Sequence, residues 1–154
     1  MTHVPNNKLN YTLMGALLAV GLALGLGGFT FQYAEGTSYL SDNPEACINC
    51  HVMEEQYAGW QRASHGRVAV CNDCHVPHDF VGKWLTKAEN GWHHSVAFTS
   101  DNFPTNIIIR PESEAVVLEN CLYCHQELVS PVLAMRHPED ANCLQCHRSV
   151  GHGN

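Results

Sequence analysis

Four copies of one short motif constrain this chain more than any other feature. Each copy has the form C-x-x-C-H, and the four together use all eight cysteines. In c-type haem attachment two thiols add to one porphyrin, and the imidazole of the next residue reaches the iron. We therefore expect four covalently bound haem c groups, held by Cys47, Cys50 and His51, by Cys71, Cys74 and His75, by Cys121, Cys124 and His125, and by Cys143, Cys146 and His147.

Other uses of paired cysteines explain this pattern less well. A zinc site also contains C-x-x-C pairs, but it does not require a histidine directly after every second cysteine. A thioredoxin-like motif occurs once, near a βαβ pattern. A disulfide framework explains neither the spacing nor the histidines.

The haem count and the N-terminal residues predict the fold class. We expect a mainly α protein, with one transmembrane helix followed by a small multihaem domain of short helices and loops. With four haems in so short a chain, the porphyrins supply much of the apolar core. Residues 106–110 are expected to be an extended segment or a linker between two halves.

The first part of the chain has the composition of a membrane anchor. Residues 9–34 carry no charge, and about 20 apolar residues span a bilayer as a helix. A cleaved signal peptide is the competing interpretation, but its apolar region is only about 7–15 residues long and ends at a small-x-small site. We expect an anchor at residues 11–33. Because Lys8 precedes the anchor, residues 1–10 are expected in the cytoplasm. The haem domain, residues 35–154, is then expected in the periplasm, and the anchor in the bacterial inner membrane.

The two pairs of motifs suggest a duplicated two-haem module, with halves at about 45–100 and 115–154. His65 stands six residues before Cys71, and His137 stands six residues before Cys143. Matched histidines outside the motifs suggest iron ligands that cap haems of the opposite half. This symmetry predicts that His65 caps haem four and that His137 caps haem two.

The remaining iron positions are assigned from the motifs themselves. Haems two, three and four each take their own motif histidine, and His152 is suited to haem three. The first motif continues as C-x-x-C-H-x-M, so that Met53 could bind the first iron instead of His51. Spacing alone favours His51. The residues that we expect to bind iron axially are Met53, His75, His125, His147, His65, His152 and His137, with His51 and His94 as alternatives.

The segment at residues 83–94 has amphipathic character. It mixes large apolar side chains with Lys83, Lys87, Glu89 and His94, which are groups that could bind quinol oxygens and accept protons. The alternative is an ordinary interfacial helix, whose lysines meet lipid phosphates and whose tryptophans anchor it.

These motifs resemble a known family. An N-terminal anchor, four C-x-x-C-H motifs with C-x-x-C-H-x-M at the first, and the sequence CNDCHVPH at residues 71–78 are similar to the tetrahaem quinol dehydrogenases of the NapC/NirT type. Within that family the chain looks most like the membrane subunits of periplasmic cytochrome c nitrite reductases. The resemblance implies that it oxidises menaquinol and passes electrons to a multihaem nitrite reductase subunit, which reduces nitrite to ammonia in anaerobic respiration. It also allows a homodimer within the complex.

The resemblance implies roles for individual residues. Met53 rather than His51 becomes the expected ligand of haem one, and His65 and His152 are again assigned to haems four and three. Lys87 and His94 match quinol-site positions near haem one. The family often has an acidic residue at the position of His94, which leaves two roles open for it: proton acceptor or neighbour of the first iron. In some members the far ligand of haem two is a lysine of the partner subunit, so this interpretation stays open beside His137.

Two other functions remain compatible with the sequence. One is a general quinol dehydrogenase that feeds several periplasmic reductases. The other is an electron-relay cytochrome without a quinol site. Nucleic-acid binding is not expected, because Lys and Arg number 8 against 15 Asp and Glu, and an acidic chain repels a polyanion.

Overall fold

The computed structural model describes residues 7–104, 106–135 and 142–153. His137, one of the expected ligands, lies outside these ranges. The described chain is helical and contains no strand, which confirms the mainly α fold class. It forms two compact units, of which the first ends at Ser38 and the second begins at Tyr39.

The first unit is dominated by α1, which runs from Asn7 to Tyr33. Its segment Leu9–Tyr33 is long and apolar enough to cross a membrane, and none of its most apolar window is buried within the protein. A fully exposed apolar helix is suited to lipid rather than to water. The chain leaves the helix at Glu35, whose φ of 54° lies in the left-handed region.

In its described residues the second unit contains four α-helices and several short 3₁₀ turns. A 3₁₀ helix at Gly36–Leu40 joins the two units along the chain. The helices are α2, α3, α4 and α5, at Glu54–Arg62, Cys71–His75, Phe80–Ser100 and Pro111–Leu133. The 3₁₀ turns within the unit lie at Pro44–Asn49, His51–Met53, Ser64–Arg67 and Cys143–Gln145.

Two of these helices are longer than the short elements expected around each motif. Helix α4 has 21 residues and α5 has 23. Asp79 caps α4 by accepting a hydrogen bond from the Gly82 amide at 2.7 Å, and this satisfies a free N–H of the first turn. Pro111 occupies the start of α5, where its fixed φ and missing N–H cost nothing. The third motif therefore lies inside a long helix.

The second unit has almost no core of its own side chains. Among the described residues, only Val76 and Val117 are buried apolar residues. A soluble domain of this size normally buries well over half of the surface of its unfolded chain. The missing apolar volume is what four porphyrins would supply, as the sequence analysis expected.

Candidate functional site

Consecutive motifs lie next to one another in the order in which they follow along the chain. The Cys47 thiol hydrogen-bonds with that of Cys71. The pKa of Cys74 is raised, first by burial and then by the neighbouring thiols of Cys121 and Cys124. Cys121 in turn lies near Cys143. In the expected haem-loaded protein these sulfurs would be thioethers. The cysteines of motifs one to four thus form a continuous row.

The chemistry of the cysteines fits haem better than a metal cluster. None of the eight cysteines forms a disulfide. Among the described residues no group of three or more His, Cys, Asp or Glu side chains converges to hold a metal ion directly, whereas a structural zinc site needs four such ligands. Together with the missing apolar core, cysteines outside disulfides and beside histidines are the arrangement that covalent porphyrin attachment requires.

Two pairs of imidazoles lie close together in the haem domain. The ring centres of His65 and His125 are 6.0 Å apart, and those of His75 and His152 are 5.9 Å apart. A metal–imidazole bond is about 2 Å long, and the ring centre lies a further distance on the order of 1 Å beyond the nitrogen. Two imidazoles bound to one iron from opposite sides are thus separated by about 6 Å, so both pairs have the spacing of bis-histidine ligation.

In both His65 and His152 the Nδ1 atom takes part in a hydrogen bond, which leaves Nε2 free. His65 Nδ1 donates to the Val150 carbonyl at 3.2 Å, and His152 Nδ1 donates to the Gln56 carbonyl at 3.1 Å. A histidine that binds a metal through one nitrogen usually donates from the other to a carbonyl or carboxylate. The structure therefore presents Nε2 of each ring as the free atom.

His65 lies beside His125 of the third motif, and His152 lies beside His75 of the second motif. The assignments of His65 to haem four and of His152 to haem three stay predictions. The peptide N–H and the ring of His65 both bond to Val150, which fixes this segment against the C-terminal turn. In the first motif His51 is exposed and Met53 is half-buried.

A polar cluster surrounds Asp42 on the inner face of α4. Lys83 Nζ donates to Asp42 at 2.6 Å, and Lys87 Nζ donates to Asp42 and to the Ser41 carbonyl, each at 2.8 Å. Asn72 donates to the same carboxylate at 2.7 Å. The hydrogen bonds from Lys83 and then Lys87 hold the pKa of Asp42 well below its usual range. We call Asp42, Ser41, Asn72, Lys83 and Lys87 the Asp42 cluster. With two ammonium groups and one carboxylate, the cluster carries one excess positive charge.

A tyrosine and a histidine form a second polar contact on the same face of α4. Tyr39 Oη lies 2.7 Å from His94 Nδ1. Burial, followed by the nearby Cys50 and Cys47 thiols, raises the pKa of Tyr39 to about 12. Burial lowers the pKa of His94, with Arg110 and His93 adding to the effect. Both side chains are therefore neutral at physiological pH.

The two polar contacts adjoin the first motif, whereas Glu89 does not join them. Tyr39 lies near Cys47 and Cys50, and Lys87 lies near Cys47. Glu89 points to another face of α4, where it pairs with Arg110 at 3.2 Å. The structure thus brings together three of the four expected quinol-site residues, namely Lys83, Lys87 and His94.

Two members of this site were missed by the sequence analysis. These are Asp42 and Tyr39. An isolated tyrosine or aspartate between an anchor and a haem motif carries no spacing signal, since the partners of these two residues lie 30 or more positions later in the chain. A cleft of about 110 Å³ opens beside the cluster and is lined by residues that include Asp42, Lys83 and His78.

Comparison with known proteins identifies the family. The N-terminal region of the NapC/NirT cytochrome c family matches residues 7–154. The chain belongs to this NapC/NirT cytochrome c family. It is 40% identical to the cytochrome c-type protein NrfH of Wolinella succinogenes, with 96% of this chain and 89% of that protein aligned. It is 31% identical to the cytochrome c nitrite reductase subunit NrfH of Nitratidesulfovibrio vulgaris, over 94% of this chain and 84% of the relative.

The NapC/NirT assignment agrees with a solved structure. The crystal structure of the cytochrome c nitrite reductase NrfHA complex bound to the HQNO inhibitor matches with a TM-score of 0.65 and 30% sequence identity. The match covers 93% of this chain and 90% of that chain. Membership in a cytochrome c family implies covalently bound haem c, and α1 fits a single-pass membrane anchor.

Proposed function

We propose that this chain oxidises menaquinol at the membrane and passes the electrons to a periplasmic cytochrome c nitrite reductase. The observation that carries this proposal is the position of the Asp42 cluster and of the Tyr39–His94 contact beside the cysteines of the first motif. Relatives named as NrfH and the match to an inhibitor-bound NrfHA complex support the same role. The N-terminus is cytoplasmic and the haem domain periplasmic in this proposal.

Four haems, one for each motif, provide the route for the electrons. Each haem iron, when bound, accepts one electron at a time and no proton. The row of cysteines from Cys47 to Cys143 supports transfer in the order of the motifs. The fourth motif then lies at the exit, from which a docked reductase receives the electrons.

The spacing of the histidine pairs supports an assignment of axial ligands. His75 with His152 and His125 with His65 have the spacing for the second and third irons. We assign Met53 to the first iron and His147 to the fourth. At the second haem His137 and a lysine of the partner subunit are the alternative caps, and at the first haem His51 is the alternative to Met53.

The residues of the site match the needs of quinol oxidation. A quinol loses two electrons and two protons, so proton acceptors are required beside the first haem. The Lys87 ammonium has three N–H groups, and Asp42 and Ser41 occupy two of them, which leaves one to orient a quinol oxygen. His94 is neutral, and in the tautomer that donates from Nδ1 to Tyr39 Oη its Nε2 is free to accept a proton from the quinol hydroxyl.

Substitution within the site tests the assignment. Lys87→Met removes a charged hydrogen bond, which is worth about 1.5–3 kcal/mol, so the rate of quinol-dependent haem reduction in membranes is expected to fall roughly 10- to 150-fold. His94→Gln is expected to slow the reaction by about 10²-fold, as the loss of a proton acceptor does. The matched control is His93→Gln, because His93 is exposed and lies on another face of α4. Unchanged rates for both site variants would contradict the assignment.

Co-purification distinguishes this role from that of a general quinol dehydrogenase. The specialised role predicts a tight complex with one multihaem nitrite reductase, and quinol-dependent nitrite reduction by that complex. A chain that reduces several purified periplasmic reductases at similar rates, without a stable complex, would be a general donor. A chain that is reduced by soluble donors but not by quinols would be an electron relay.

A further inference from the structure

Helix α4 turns an apolar side away from the domain. Val81, Leu85, Trp92 and Val96 are exposed by 64, 66, 70 and 45%, and Ala88 between them is exposed as well. At 3.6 residues per turn these five positions fall within an arc of about 80° around the helix axis. We call them the α4 apolar stripe.

The opposite side of α4 makes the hydrogen bonds with the rest of the domain. Lys87, only 6% exposed, bonds with Asp42 and Ser41, and His94 bonds with Tyr39. A helix on the surface of a soluble domain normally has the reverse arrangement, with its apolar stripe inward and its charges outward. Helix α4 contains no cysteine, so no haem is attached to it. The stripe is therefore placed to meet something other than this domain.

We propose that the α4 apolar stripe lies in the interface of the lipid bilayer, with the helix parallel to the membrane plane. The chain connectivity favours lipid over a protein partner. Tyr39, which holds His94, follows Tyr33 at the end of the membrane-spanning helix by six positions. Six residues span at most about 21 Å. Tyr39 therefore lies within about 21 Å of Tyr33 because of the chain connection alone.

The aromatic residues of α4 also suit a bilayer surface. Trp92 lies within the stripe and Trp84 borders it, and tryptophan is enriched where membranes meet water. The lysines of the helix are Lys83 and Lys87, and both point to Asp42 rather than to lipid phosphates. Contact with the membrane therefore rests on apolar burial and is independent of anionic lipids and of salt.

Photocrosslinking of the full haem-loaded chain tests this proposal. Benzoyl-phenylalanine replaces Leu85, or in a second variant Val81, in phosphatidylcholine nanodiscs. The matched control carries the probe at Leu128 on α5, which is 76% exposed. Haem content, read from the absorption spectrum, verifies the fold of each variant.

We expect phospholipid adducts at least about tenfold more abundant at position 85 than at position 128, because only the former is immersed in the interface. Position 81 should behave like position 85, and added phosphatidylglycerol or salt should not alter the yield. Lipid adducts at positions 81 and 85 no more abundant than at position 128 would overturn the proposal. Such a result overturns the proposal whether the probe is instead crosslinked to a partner subunit, to a second copy of this chain or to nothing.

Discussion

Asn120 connects the second and third motifs, and its replacement should weaken the haem domain. Its side chain is 6% exposed, and Nδ2 donates to the carbonyls of Cys74 and Val76 at 2.9 Å each. Asn120→Ala leaves two enclosed carbonyls without a donor, and each such group costs about 1–3 kcal/mol. Since the Cys74 carbonyl is only partly enclosed, we expect a loss of about 2–4 kcal/mol in the free energy of unfolding.

The assay for Asn120 is guanidinium unfolding of the haem-loaded protein in detergent, followed by circular dichroism in the haem absorption band. Asn142→Ala is the matched control, because Asn142 also directly precedes a motif cysteine. It caps a short 3₁₀ turn and donates to Glu114, and loss of such a cap costs about 1 kcal/mol. If Asn120→Ala lowers the free energy of unfolding no more than Asn142→Ala does, the linking role is refuted.

Three further predictions concern pH and the histidine ligands. The pKa of Asp42 is depressed, so its stabilising effect is complete above its ordinary pKa of about 3.9 and is lost as the pH falls further. In an acid titration, the difference in free energy of unfolding between the wild type and Asp42→Asn should therefore stay unchanged from neutral pH to about 5. It should shrink below about pH 4. His152→Ala should convert one low-spin haem to high spin, measured by electron paramagnetic resonance, and an unchanged spectrum would contradict ligation. Gly59→Ala should give a similar change in spin state without altering a ligand, because the new methyl group would overlap the His152 carbonyl. Gly91→Ala is the control and should leave the spin state unchanged, because its methyl group would meet Tyr39 at an ordinary 3.6 Å.

The sequence predicted the parts of the molecule that depend on local spacing. The C-x-x-C-H motifs define haem attachment within five residues, and the uncharged residues 9–34 define an apolar helix whose observed bounds are Asn7–Tyr33. The small number of buried apolar side chains among the described residues was also expected from the sequence, because bound porphyrins would supply much of the apolar core. The internal repeat remains a prediction.

The missed features depend on contacts between residues that are distant in the chain. The contact of His65 with His125 joins residues 60 positions apart, and no periodicity in the sequence indicates it. Tyr39 and Asp42 acquire their roles only through α4. The length of α4 and α5 was also missed, since short helices and loops were expected, whereas the Asp79 cap and Pro111 support continuous helices.

Stopped-flow reduction by a menaquinol analogue tests the central claim most directly. The haem-loaded chain in nanodiscs, without a partner, is mixed with the quinol and followed in the haem α-band, in parallel with reduction by dithionite. We expect rapid reduction by quinol in the wild type and in His93→Gln, a large loss of rate in Lys87→Met and His94→Gln, and equal reduction of all four proteins by dithionite. Failure of the wild type to react with quinol while dithionite reduces it fully would contradict the account.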